Sequence, residues 1–257
     1  MRIDILTLFP EMFTPLNTSI IKRAIDNNFV EIYVHNYRDF SLKKSKSVDD
    51  YSYGGGAGMV IEVSPIVSCL RSIPNYQSAK KLITNPIGKT FNQEYAKELA
   101  KLEHIIIICG HYEGIDERIN NYVDELVSIG DFILTGGEIA ALAIVDATVR
   151  LIPNVLGNDS STEIESFNNN LLEYPQYTRP VNFEGLEVPK VLLSGNHENI
   201  RKFRRFESLK RTYLYRPDLL NKANLTEEDQ KFLKLIKEGK DLELWKKYFY
   251  YYFSSCY

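Results

Sequence analysis

Apolar positions in the first part of the chain follow two periods that alternate along the sequence. Strand-like apolar runs occur at residues 3–9 (IDILTLF) and 29–37 (FVEIYVHNY). Helical spacing occurs at residues 11–27, 94–102 and 138–152, and Pro153 is expected to stop the last of these helices. Alternating strands and helices predict an α/β domain with a parallel sheet.

Two further apolar runs end in loops of unusual composition. Residues 104–109 (HIIIIC) form a continuous β-branched run, typical of a strand buried on both faces, and the charged loop 110–118 (GHYEGIDER) follows it. In residues 81–88 (KLITNPIG), Asn85 and Pro86 break an apolar run. Because ligands of open α/β sheets bind at the carboxyl ends of strands, these loops predict one small-molecule pocket.

A third run belongs to the same pattern. Residues 127–138 (VSIGDFILTGGE) change from an extended apolar stretch into the pair Gly136 and Gly137, and then into a helix. The glycines would let the backbone approach a bound molecule. Thr135 is expected to cap the helix and Glu138 to close a capping box. A strand, a glycine turn and a capped helix also occur without any site, so this run alone leaves both interpretations open.

Neither common phosphate-binding motif is present. Gly88, Lys89 and Thr90 resemble the end of a P-loop, but Ile83 occupies the position of the first glycine. The glycine cluster at residues 54–58 lacks dinucleotide-binding spacing and does not directly follow a strand. These observations argue against an NTPase and against a Rossmann nucleotide site.

Composition favours a cytoplasmic enzyme. The chain has 257 residues with 44% apolar content, enough for a substantial core, and no apolar run long enough to span a membrane. Its start lacks the basic segment of an export signal. Cys69, Cys109 and Cys256 are few and widely spaced, which indicates free thiols rather than disulfides or a zinc site.

The second part of the chain is predicted to be helical and locally basic. Residues 158–170 are polar and indicate a mobile linker. The formal net charge is −3, yet residues 201–216 carry seven basic residues against Glu207 alone, interleaved with aromatic residues. Such a segment is typical of RNA binding, although a solvated helix face gives the same pattern. Within it, Arg204, Arg205 and Lys210 are the predicted RNA contacts.

Six motifs, in order along almost the whole chain, resemble the bacterial tRNA (guanine-N1)-methyltransferase family. They are YGGGAGM (53–59), CGHYEGIDER (109–118), SIGDFILTGGE (128–138), RLIPNVLG (150–157), ESFNNNLLEYPQYTRP (165–180) and VLLSGNHENI (191–200). This resemblance implies methyl transfer from S-adenosylmethionine to N1 of guanosine 37 in tRNA. The aromatic tail, residues 248–257, matches nothing in that pattern.

The resemblance also implies an architecture. The expected fold is α/β, with a parallel-sheet domain that ends in a deep trefoil knot, as in the SPOUT superfamily, followed by a smaller helical domain. The implied boundaries are residues 1–157 for the S-adenosylmethionine-binding domain, 158–172 for a flexible linker and 173–257 for the tRNA-binding domain. A homodimer with the site at the subunit interface is expected.

The reaction requires a base and an electrostatic stabiliser. N1 of guanine carries a proton at neutral pH, so a carboxylate must remove it, and an arginine would stabilise the charge that develops on O6. Arg150 fits the second role, although an ion pair with Asp146 on the same helix face would also explain it. By resemblance the base is Glu165, where the family has Asp; Asp159 and Glu163 stay open as alternatives.

By resemblance, S-adenosylmethionine is held largely by the backbone of the three strand-end loops. The implied cofactor residues are Asn85, Pro86, Gly110, Ile129, Gly130, Asp131, Phe132, Ile133, Leu134, Gly136 and Gly137. Glu113 and Tyr112 are the expected guanine contacts, whereas Asp116 is interpreted as loop architecture. The resemblance also suggests Mg²⁺, for which the sequence shows no ligand cluster.

Two other classes of protein remain open from the sequence. A related knotted methyltransferase acting on another RNA would share the pocket, but would lack the 165–180 motif and the basic helical domain. A non-catalytic RNA-binding descendant is conceivable because of Glu165. The presence of Arg150, Glu113 and the pocket glycines argues against such a loss of activity.

Overall fold

The computed structural model describes residues 1–156 and 165–240. The chain divides into two compact units, Met1–Asp159 and Ser160–Tyr257. Asp159, Glu163, residues 158–164 of the predicted linker and the aromatic tail lie outside the described residues. No helix in the part of the chain that the structure describes is long and apolar enough to cross a membrane.

Five parallel strands form the sheet of the first unit. They are β1 (Arg2–Thr7), β2 (Glu31–Asn36), β5 (Lys80–Thr90), β6 (His104–Cys109) and β7 (Glu125–Ser128), in the spatial order β2-β1-β6-β5-β7. β3 (Asp49–Asp50) and β4 (Val60–Ile61) form a separate antiparallel pair. The predicted α/β fold with a parallel sheet is confirmed.

The central strand β6 shows why an uninterrupted apolar run is required here. Ile105 and Ile107 belong to the core on one face of the sheet, and Ile106 and Ile108 belong to the core on the other. All four side chains are at most 1% exposed. A strand covered on both faces has no solvent side, so alternation with polar residues would bury unpaired polar groups.

Helices cover this sheet. They are α1 (Ser19–Asp26), α2 (Val63–Ser72), α3 (Gln93–Leu99) and α4 (Glu138–Val149), with 3₁₀ turns at Pro10–Asn17, Tyr37–Phe40 and Glu117–Asn121. The single helix predicted at residues 11–27 is wrong. It divides at Thr18, where the backbone is extended, and Pro15 lies inside the 3₁₀ segment and lacks an N–H to donate.

Two other predicted boundaries also change. α4 ends at Val149, three residues before the predicted end, and single turns carry the chain on to Pro153. β7 ends at Ser128, and the apolar residues that follow form a loop in which Phe132 is 53% and Ile133 81% exposed. The extended run predicted there is therefore only partly a strand.

The second unit is mainly helical. It contains α5 (His197–Tyr215), α6 (Pro217–Leu220) and α7 (Glu227–Lys237), short 3₁₀ turns at Asn168–Asn170 and Lys190–Leu193, and a small hairpin of β8 (Asn182–Phe183) and β9 (Leu186–Glu187). Its core packs Phe206 and Leu209 of α5 against Phe232 and Ile236 of α7. A capping box between Thr226 and Asp229 begins α7.

Candidate functional site

A cavity of about 360 Å³ opens at the carboxyl ends of β6 and β7 and at the break in register within β5, between Thr84 and Lys89, where the sequence predicts a pocket. This size is typical of small-molecule sites. It is lined by the predicted residues Asn85, Pro86, Gly110, Tyr112, Glu113, Ile129, Gly130, Phe132, Ile133, Leu134, Gly136 and Gly137. Asp131 is exposed and lies outside this lining.

Backbone hydrogen bonds join two of the strand-end loops. The N–H of Gly137 donates to the carbonyl of Gly110 at 2.8 Å, and His111 forms an antiparallel bridge with Gly136. The loop after β6 and the turn before α4 are therefore one connected wall of the cavity.

The glycine pair packs closely against neighbouring protein atoms. A Cβ on Gly137 would lie 2.0 Å from Oγ1 of Thr84 and 3.0 Å from the amide nitrogen of Gly110. A Cβ on Gly136 would lie 2.4 Å from Nδ1 of His111. Both glycines are thus required by contacts within the protein. That the two glycines also let the backbone approach a bound molecule stays a prediction.

The loop that carries Glu113 rests on the glycine cluster of residues 54–58, to which the sequence assigned no role. The N–H of Glu113 donates to the carbonyl of Met59 at 3.2 Å. Gly58 has a φ of +78°, and a Cβ there would lie 2.5 Å from Cγ of Glu113. Only glycine suits that backbone and that contact, so the cluster positions a predicted guanine contact. No strand or spacing rule signals this long-range packing.

Asp116 behaves as predicted for loop architecture. Its carboxylate accepts hydrogen bonds from the backbone N–H and the guanidinium of Arg118, and these bonds lower the pKa of the carboxyl group. Its own N–H donates to the carbonyl of Ile61 at 2.9 Å. The residue begins the 3₁₀ turn Glu117–Asn121 and fixes the end of the loop.

The capping box predicted for α4 is wrong. Gly137 occupies the N-cap, and Glu138 turns inward, where it is 1% exposed. Its Oε1 accepts a hydrogen bond from Oγ1 of Thr7 at 2.8 Å, and its Oε2 lies 3.9 Å from Nδ1 of His111. Thr7 ends β1, so topology brings together residues that are 131 positions apart.

The two predicted catalytic residues belong to different units. Arg150 follows the last residue of α4, and its N–H donates to the carbonyl of Asp146 at 3.2 Å. Glu165 lines a cavity of the second unit together with Tyr174, His197 and Arg204. Both assignments stay predictions.

The predicted RNA contacts differ in their surroundings. The Arg204 guanidinium lies 4.9 Å from the ring centre of Tyr174, a cation–π contact at the cavity of the second unit. Arg205 is instead committed to the fold, since its guanidinium donates two bonds of 2.7 Å to Asp229, which is nearly fully buried. This pair joins α5 to α7. RNA binding by Arg205 and by Lys210 stays a prediction.

A metal site is not evident in the described ranges. Residues 1–156 and 165–240 contain no group of three or more His, Cys, Asp or Glu side chains arranged to hold a metal ion. Mg²⁺ therefore stays a prediction with no assigned ligands.

The chain is similar to known proteins over most of its length. Residues 1–222 match the family described as tRNA (Guanine-1)-methyltransferase TrmD. A tRNA (guanine-N(1)-)-methyltransferase of Clostridium botulinum (strain Loch Maree / Type A3) is 58% identical, over 91% of this chain and 98% of its own length. Proteins of the same name from Clostridium novyi and Streptococcus uberis are 57% and 54% identical, each over 93% of this chain and 99% of its own length.

These matches confirm the resemblance found in the six motifs and cover both structural units. Identity above half of the aligned residues, over nearly the full length of each relative, leaves the family assignment unambiguous. The chain belongs to the tRNA (guanine-1)-methyltransferase family.

Proposed function

We propose that this chain transfers a methyl group from S-adenosylmethionine to N1 of guanosine 37 in tRNA, next to the anticodon. The observation that carries the proposal is the cavity beside β5, β6 and β7, found in a chain of this family. Since tRNA is the substrate, the protein is expected to act in the cytoplasm.

The residues at the cavity fit the cofactor. Backbone groups of Gly110 and Gly136, and the apolar side chain of Leu134, line a space in the size range of small-molecule sites. Asn85 and Pro86 lie where the register of β5 and β7 is interrupted, between Thr84 and Lys89, so the strand pairing is broken beside the cavity. When bound, S-adenosylmethionine supplies an electrophilic methyl group on its sulfonium sulfur.

Four side chains act on the guanine. Glu165 accepts the proton of N1, so that the N1 electron pair can form the new bond to the methyl carbon while the bond from that carbon to the sulfonium sulfur breaks and leaves its electron pair on sulfur. Arg150 stabilises the negative charge that spreads to O6, an effect worth about 3 kcal/mol in a water-excluded site. Glu113 and Tyr112, on the loop held by Gly58 and Met59, contact the base.

The glutamate at position 165 changes the reach of the base by one methylene. A displacement of about 1 Å can cost on the order of a hundredfold in rate, so the linker must compensate or the reaction is slower.

The proposed organisation is the one that the motifs imply: a trefoil-knotted domain at residues 1–157, a flexible linker at 158–172 and a tRNA-binding domain at 173–257.

Exposed apolar residues next to the cavity support a homodimer with the site at the subunit interface. Phe132 is 53% and Ile133 81% exposed, and Ile139, on the outer face of α4, is 48% exposed. Large apolar side chains clustered at a surface indicate an interaction site. On the second unit, Arg204 and Lys210 are the proposed tRNA contacts.

Methyl transfer from labelled S-adenosylmethionine tests the proposal directly. The substrates are two tRNA transcripts that differ only in guanosine or adenosine at position 37. Incorporation should require guanosine. Equal labelling of both transcripts would assign the activity to another nucleotide, as in the related methyltransferases. Absence of labelling would favour a non-catalytic RNA-binding protein.

A further inference from the structure

A buried carboxylate and an imidazole lie against each other beside the cofactor cavity. Oε2 of Glu138 and Nδ1 of His111 are 3.9 Å apart, and neither atom has a hydrogen-bond partner among the described residues. The other oxygen of Glu138 is paired with Thr7. Buried polar atoms in folded proteins are nearly always hydrogen-bonded, because an unpaired one costs free energy. The two unpaired atoms therefore favour contact with each other.

Gly136 keeps the path between these atoms open. A Cβ at this position would lie 2.3 Å from Oε2 of Glu138 and 2.4 Å from Nδ1 of His111, and would separate them. Without it, an approach of about 1 Å gives a hydrogen bond of normal length. Hydrogen bonds in enzyme sites are often long before the ligand binds and shorten in the complex.

The imidazole also reaches the cavity. His111 lines it and keeps 22% of its side chain exposed, although Nδ1 itself is buried. The ring packs against Phe9 and Tyr112, with ring centres 4.8 and 5.2 Å away. Nδ1 therefore faces the protein interior, while the exposed part of the ring lines the cavity.

The other titratable groups near Glu138 do not take part in a hydrogen bond between Glu138 and His111. Burial raises the pKa of Tyr37 and of Cys109, and the charge of Glu138 raises both further. The phenol and the thiol stay neutral at physiological pH. The phenol of Tyr37 already donates to the carbonyl of Cys109.

We propose that Thr7, Glu138 and His111 form a hydrogen-bonded relay that fixes the tautomer of His111. The hydroxyl of Thr7 donates a hydrogen bond to Glu138. The Nδ1–H of His111 donates a second hydrogen bond to Glu138, so Nε2 carries no proton and is an acceptor at the cavity. The ligand class is a small molecule that offers a hydroxyl or ammonium donor there. The identity of this molecule rests on the proposed function: it is S-adenosylmethionine, which carries both a hydroxyl and an ammonium donor. Glu138 and Thr7 are positioning residues, and His111 is the binding residue.

A single substitution reverses the relay. In Glu138→Gln the amide oxygen still accepts from Thr7, and the amide NH₂ then faces His111. Nδ1 must become the acceptor, so the ring carries its proton on Nε2 and presents a donor to the cofactor. Cofactor binding should weaken, because a histidine takes the wrong tautomer when the carboxylate that orients it becomes an amide.

The experiment combines imidazole ¹⁵N NMR with calorimetry of S-adenosylmethionine binding. The chain has four histidines, so loss of one signal in His111→Phe assigns the resonance. The wild type should carry the proton on Nδ1, and Glu138→Gln on Nε2. The Kd should rise about tenfold in Glu138→Gln and in His111→Phe, without further increase in the double variant. Glu125→Gln is the matched control, because Glu125 pairs with Tyr95 and Lys80 outside the cavity lining.

An unchanged tautomer in Glu138→Gln, or additive effects in the double variant, would overturn the relay. Lower thermal stability with unchanged Kd would assign the pair a purely structural role and overturn it as well. Should Glu138→Gln not fold, an unchanged Kd in His111→Phe would still overturn the relay. If the wild type binds no S-adenosylmethionine, the proposed function fails, whereas the tautomer of the unliganded protein still decides the relay.

Discussion

Arg205 of α5 and Asp229 of α7 form a two-bond ion pair in which both N–O distances are 2.7 Å. The carboxylate is nearly fully buried, and hydrogen bonds from Arg205 and Thr226 hold its pKa below the ordinary value despite the opposing effect of burial. The neighbouring Arg204 contacts the ring of Tyr174 instead. Two adjacent arginines of one basic segment therefore have different partners in the fold.

Arg205→Ala should destabilise the second unit, and Arg204→Ala should not. Removal of Arg205 leaves a buried carboxylate without its cation, which typically costs about 3–5 kcal/mol. Urea unfolding measures this loss. Arg204→Ala should instead weaken tRNA binding and flatten its salt dependence, because fewer counterions are released. Equal stability of the two variants would contradict the separation of roles.

Gly137→Ala should disrupt the cavity wall and destabilise the fold, whereas Gly110→Ala should fold normally. The added Cβ at position 137 meets Thr84 and two backbone atoms at 2.0–3.1 Å, but at position 110 it meets only Ile115, at 3.4 Å. Calorimetry of S-adenosylmethionine binding and thermal unfolding check both variants. Normal binding by Gly137→Ala would show that the joined loops are not the cofactor wall.

The sequence predicts the strands of the sheet and the residues at their ends, because both follow local patterns. The run at residues 104–109 and the loop after it are examples: apolar content alone indicates burial on both faces. Glu138 shows where such reasoning fails. Its spacing from Thr135 suits a capping box, yet the tertiary contact with Thr7 competes for the same carboxylate and prevails.

Arg205 shows a second limit of the sequence. Charge density along residues 201–216 is a local property, but the partner of each cation depends on how α5 packs against α7. The glycine cluster likewise has no local signal for its contact with Glu113. Chain composition therefore predicts which groups are available, whereas packing decides which of them remain at the surface.

Asp4 should make the first unit sensitive to acid. This fully buried carboxylate accepts bonds from Arg2, His35 and His104, and these bonds hold its pKa well below 3.8 although burial opposes them. A carboxyl group whose pKa is lower in the folded protein stabilises it fully above the unfolded pKa. That contribution is lost as the pH falls below about 4 toward the folded value.

Urea unfolding at a series of pH values tests this behaviour. The wild type should lose stability progressively between about pH 5 and pH 2, and Asp4→Asn should show a smaller slope over this range and lower stability at neutral pH. Asp26→Asn is the control, since Asp26 is exposed and pairs with Lys22 four residues away. An Asp4→Asn slope equal to that of the wild type would place the acid sensitivity elsewhere.

The identity of the base is tested by two substitutions at one position. Glu165→Gln keeps size and polarity but cannot accept the N1 proton, so single-turnover methylation should fall by roughly two to four orders of magnitude. Binding of tRNA should change little. Glu165→Asp shortens the side chain to the length typical of the family and should retain substantial activity, with a rate above that of the wild type if the extra methylene displaces the carboxylate.

Glu163→Gln is the matched control: it changes an acid two positions away and should leave the methylation rate nearly unchanged. Wild-type rates for Glu165→Gln from about pH 6 to pH 9 would exclude Glu165 as the general base and transfer the assignment to Asp159 or Glu163.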